Sequence, residues 1–105
     1  MGWALLVAAG LLEAVWAYAM KQSAGFTRLW PTVVTAIAMA ASIGMLSVSM
    51  RTLPLGTAYP VWTGIGAVGA FLAGVLLLGE NASAVRIGAL VLIVGGLALM
   101  RLAEP

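Results

Sequence analysis

The chain has no cysteine and no histidine, and charge is scarce, with five basic and three acidic side chains among 105 residues. Without thiols there is no disulfide framework and no thiolate metal site. Without imidazoles or a cluster of carboxylates, a transition-metal centre or a metal-dependent hydrolase lacks a ligand set. The basic residues are scattered and form no patch, so no nucleic-acid partner is expected. What fills the chain is apolar: 64% of residues are hydrophobic and 8% charged. A soluble domain of this size needs a far more polar surface. The composition therefore predicts an all-α integral membrane protein.

Four apolar runs, at roughly 3–20, 30–50, 57–78 and 85–102, predict four spans in a single transmembrane domain over 1–105. Each is close to the ~20 residues that a helix needs to cross the hydrocarbon core. Trp3, Tyr18 and Trp30 suit the membrane interfaces, and Lys21 closes the first run. Ala17-Tyr18-Ala19 mimics a leader cleavage site, but no positive side chain precedes the run and Glu13 interrupts it. The run is therefore expected to be a retained span. Pro31 falls in the first turn of the second span, where a missing N–H is tolerated. Pro54 and Gly56 break the chain before the third.

One polar group stands out. Glu13 lies at the centre of the first span, where a carboxylate costs at least a few kcal/mol, on the order of 2.5–3.5 on insertion scales. No Lys or Arg lies at the same depth to neutralise it. A structural ion pair is therefore disfavoured, and the group is expected to bind a proton or a cation. Exclusion of water disfavours the charged form, so proton and cation would compete for one carboxylate, as an antiporter requires.

Other candidates follow from helical spacing. Gly10, Glu13 and Trp16 share a face of the first span. Ser42 lies mid-way along the second, at about the depth of Glu13; a lone serine there equally bonds its own helix backbone. Tyr59 and Trp62 share a face of the third. Indole N–H and phenol O–H groups in lipid need acceptors, and Glu13 is expected to serve. Aromatic faces also favour cations. Against this, Tyr59 also suits a membrane interface. Gly64 and Gly66 weaken the third span and predict a bend there. Gly88 and Gly95, seven apart in the fourth span, read as helix packing. Glu80 reads as a loop residue.

The charge balance bears on assembly. Arg51, Arg101 and the terminal amine fall on one side; Lys21, Arg28 and Arg86 fall on the other. Orientation follows such biases, and here the bias is almost nil. Both orientations are expected. Many transporters build a site between inverted repeats. This chain has no internal repeat, and two oppositely inserted copies would supply the inverted pair.

The segments Gly10-x-x-Glu13-x-x-Trp16-Ala17, Lys21-x-Ser23-x-Gly25-Phe26-Thr27-Arg28, Pro54-x-Gly56-Thr57-Ala58-Tyr59 and Trp62-Thr63-Gly64-Ile65-Gly66 resemble the small multidrug resistance transporters. The likeness covers essentially the full length. Gly10 with Trp16 resembles the guanidinium-exporter branch rather than the polyaromatic-cation branch. The resemblance implies an antiparallel, dual-topology homodimer in a bacterial inner membrane, surrounded by lipid. It implies inward proton flow driving export of guanidinium and small guanidinyl compounds, with protons as the coupling ion and no other cofactor.

In that arrangement two Glu13 carboxylates face one cavity, Trp16, Ser42, Tyr59 and Trp62 hold and tune them, and Gly10 leaves space beside them. Gly64 and Gly66 would provide the conformational bend, and Gly88 and Gly95 the dimer contact. Pro60 departs from the family, which usually carries Ala there; near a helix start it is tolerated. A broader exporter of quaternary ammonium cations is the nearest alternative. A small dual-topology channel would conduct without proton coupling, and a membrane scaffold would tolerate Glu13→Gln.

Overall fold

The computed structural model describes residues 2–103. Met1, whose amine enters the charge count above, and residues 104–105 lie outside the described residues. Four helices follow one another: α1 (Gly2–Gln22), α2 (Leu29–Ser49), α3 (Leu55–Leu78) and α4 (Ala84–Leu102). At 1.5 Å per residue the shortest, of 19 residues, is about 28 Å long. All four are therefore long and apolar enough to cross a membrane.

Short connections are held by local hydrogen bonds. After α1, Ser23 Oγ donates to Met20 O (2.6 Å) and accepts from the Phe26 N–H (3.0 Å). Gly79 ends α3 in the left-handed conformation, φ 69°, where a residue without Cβ is unstrained. Ser83 caps α4 by accepting from the Arg86 N–H at 3.3 Å.

Pro60 sits deeper in its helix than the sequence suggests. The Thr57 and Ala58 amides both bond Pro54 O, so α3 begins at Leu55 rather than near residue 57. Pro60 thus falls beyond the first four positions, whose N–H groups lack helical partners anyway. It removes the amide donor that the Gly56 carbonyl would otherwise receive. Pro60→Ala is expected to raise resistance to unfolding by SDS, by up to about 3 kcal/mol. An unchanged or lower midpoint would contradict this account.

Helix α1 is central. It packs against both α2 and α3, whereas α4 lies against α3. The core gathers Leu6 and Ala9 from α1, Leu46 from α2, and Ala58, Val61 and Trp62 from α3, with Leu53 from the intervening loop. In α4 no residue is buried. The principal-axis extents are 43 × 34 × 16 Å. Helices α1, α2 and α3 meet one another, and α4 lies at the edge against α3.

Candidate functional site

Helix α1 carries Gly10, Glu13 and Trp16 along one side, and α3 presents Trp62, Ile65 and Gly66 to it. Gly10 is buried because α3 crosses there: a Cβ at position 10 would lie 2.7 Å from both Cβ and Cγ2 of Ile65. A branched side chain has little rotamer freedom with which to withdraw. Three residues on, Glu13 folds its side chain against α3 at Gly66. A Cβ on Gly66 would overlap the Glu13 carboxyl group and lie 2.7 Å from Glu13 Cγ. The seat of this carboxyl group is thus the missing side chain of Gly66. Its Oε1 is buried with no hydrogen-bond donor among the described residues.

Ser42 joins the three packed helices. Its hydroxyl donates to Ala9 O of α1 at 2.6 Å and accepts from Trp62 Nε1 of α3 at 3.0 Å. Both interactions are buried, and Ser42 is fully enclosed. A buried hydroxyl that is at once donor and acceptor fixes both neighbours. Ala9 lies one helical turn before Glu13, so Ser42 braces the α1 segment that carries the carboxylate. Ser42→Ala leaves the Trp62 N–H buried without an acceptor. The variant is expected to lose about 1–3 kcal/mol of stability, read as a lower midpoint in SDS titration.

The aromatic residues divide differently from the sequence expectation. Trp62 is 6% exposed and donates to Ser42 rather than to Glu13. The α2 face that packs on α1 also meets α3, which brings the Ser42 hydroxyl to the indole. Trp16 is half-buried against the core, and its Nε1 has no acceptor among the described residues. Tyr59 is 52% exposed; its ring packs on Trp62 at 5.6 Å between centroids, inclined by 50°.

The glycines of α3 and α4 are placed as follows. Helix α3 is continuous through Gly64 and Gly66. Gly64 admits Leu97 of α4, whose Cγ would lie 3.2 Å from an added Cβ. An added Cβ at Gly88 or Gly95 would meet nothing within 4 Å. Sequence reasoning passed over the Ala9 carbonyl and Ile65. The first carries no side-chain signal, and the second is one apolar residue among many.

Among the described residues no three histidine, cysteine or acidic side chains gather to hold a metal. The site's chemistry is that of one carboxylate in an apolar, aromatic setting between two membrane-length helices. Such a group can take up a proton or a compact organic cation.

Residues 1–93 match the sequence model of the family described as Small Multidrug Resistance protein. The chain belongs to that family and is a multi-pass membrane transport protein, not an enzyme. It is 59% identical over 102 residues to a protein of Citrobacter freundii named Guanidinium exporter, covering 97% of each chain. A protein of the same name from Yersinia pseudotuberculosis is 54% identical over 104 residues, covering 99% of this chain and 100% of the other. A third, from Salmonella typhimurium strain LT2, is 54% identical over 102 residues and 97% of both chains.

Proposed function

We propose that this protein exports guanidinium and small guanidinyl cations across a bacterial inner membrane in exchange for protons, working as an antiparallel homodimer. The observation that carries this reading is the Glu13 carboxyl group, seated on Gly66 at the middle of a membrane-length helix with a buried oxygen lacking a donor. The names of the relatives above supply the substrate class.

Burial without a fixed counter-ion makes the charged carboxylate costly unless something pairs with it. A proton removes the charge, and a guanidinium compensates it. The two therefore exclude one another, and exchange couples their flows. A planar guanidinium offers two parallel N–H donors to one carboxylate, a match that a round ammonium lacks. Ser42 and Trp62 hold the helices that carry the group. Trp16 and Tyr59 offer aromatic faces to a cation. In this reading α3 would bend at Gly64 and Gly66 in the exchange between inward- and outward-facing states.

The Glu13 side chain is only half-buried within one protomer, which leaves part of it for a second copy to cover. Helix α4 has no buried residue, and Gly88 and Gly95 on it are free to admit a close neighbour. The near-balanced basic residues favour insertion in both senses.

The test is a guanidinium gradient imposed across sealed proteoliposomes containing a pH-sensitive dye. Saturable proton movement opposite to guanidinium is expected. Guanidinium flux without proton movement would identify a channel. Flux of a quaternary aromatic cation but not of guanidinium would move the protein to the multidrug branch.

A further inference from the structure

A second carboxylate has the same kind of seat as Glu13. Glu80 follows α3 directly, and its amide bonds back to Gly74 O at 3.0 Å. Its side chain then lies over Gly74: an added Cβ there would overlap the carboxylate oxygen Oε1 and lie 3.0 Å from Cδ. Glu80 is thus folded back along α3.

Beside it lies a cleft of about 130 Å³ between α1 and α3, lined by Ala17, Tyr18, Lys21, Ala70, Gly74 and Glu80 among others. A water needs only roughly 10–15 Å³ by this measure, so the cleft has room for several waters or a small planar cation. The cleft continues the seam in which Glu13 sits. Ala17 is one turn beyond Glu13 on α1, and Ala70 is one turn beyond Gly66 on α3. Gly74 is two turns beyond Gly66, about 12 Å along the helix axis. Lys21 lines the same cleft.

We infer that Glu80 is an outer binding group for the transported cation, receiving it at the mouth of the α1–α3 seam before or after Glu13. Lys21 is its built-in competitor: the ammonium shares the cleft and repels a cation held there. This rests on the guanidinium reading above. The expected consequence is a role in capture rather than in the exchange step. Glu80→Gln should raise the KM for guanidinium by up to about fivefold, the upper end for an exposed charge contact, with kcat retained. Lys21→Gln should lower KM. Both differences should shrink as salt is raised.

The experiment is initial guanidinium-driven proton flux in proteoliposomes at low and high salt, for wild type, Glu80→Gln and Lys21→Gln. An unchanged KM in Glu80→Gln overturns the assignment. Should that variant fail to fold, Lys21→Gln decides, and a KM at or above the wild-type value overturns it. Calorimetric binding of guanidinium to Glu13→Gln provides an independent readout. Weak binding lost in Glu13→Gln/Glu80→Gln supports the outer site, and no binding to Glu13→Gln counts against it. Absence of flux in the wild type would instead strike the guanidinium reading itself.

Discussion

Glu13→Gln is expected to reduce guanidinium-driven proton flux to the level of protein-free liposomes. Glutamine keeps the shape and the seat on Gly66. It has no proton to release and no charge to offer, so both halves of the exchange disappear together. Stability should hold or rise, because a buried carboxylate is replaced by a neutral amide. Glu13→Asp retains the chemistry but withdraws the carboxylate by one methylene, and should transport measurably but slowly. The two variants separate charge from placement. Proton-coupled flux persisting in Glu13→Gln would sink the antiporter mechanism and return the carboxylate to a structural role.

Gly66→Ala should be nearly as damaging, although it adds one methyl group far along the sequence from Glu13. The new Cβ would occupy the position of the Glu13 carboxyl group, so the side chain must leave its seat. Transport is expected to fall at least about tenfold, since a displaced reactive group of about 1 Å can cost a hundredfold. The helix itself should not suffer. Alanine is favoured over glycine in helix interiors by about 1 kcal/mol. The informative outcome is therefore a split: flux lost while the SDS-unfolding midpoint is maintained or raised. Flux within about twofold of wild type would mean that the carboxyl group works from elsewhere, because a full tenfold loss corresponds to only 1.4 kcal/mol.

These two variants probe opposite sides of one contact, and they make a double-mutant cycle possible. If Gly66 acts only by seating Glu13, Gly66→Ala should add little to Glu13→Gln. An additive loss would show that Gly66 has a separate part in the motion of α3. That is the role its position beside Gly64 suggests from sequence alone.

Membrane class, four helices and the singular carboxylate follow from local composition, and the sequence by itself determined them. Twenty apolar residues in a row partition into lipid whatever they later pack against. The cost of a charge among them is equally local, so Glu13 is conspicuous without any knowledge of its neighbours. The partners of each polar group are a different matter. Ser42 finds its acceptor 33 residues away in α1 and its donor 20 residues away in α3, and only the crossing of three helices puts these within reach. The indole of Trp62, expected at Glu13 because an N–H in lipid needs an acceptor, goes to Ser42 for the same reason.

The glycines make the point most directly. In sequence, Gly64 and Gly66 signal a weak helix and Gly74 signals little. In the packed structure Gly64 admits Leu97, Gly66 seats Glu13 and Gly74 seats Glu80. A glycine says that space is left free, but what fills the space is chosen by the helix that packs across it. The tertiary structure alone decided that two of these spaces hold carboxylates.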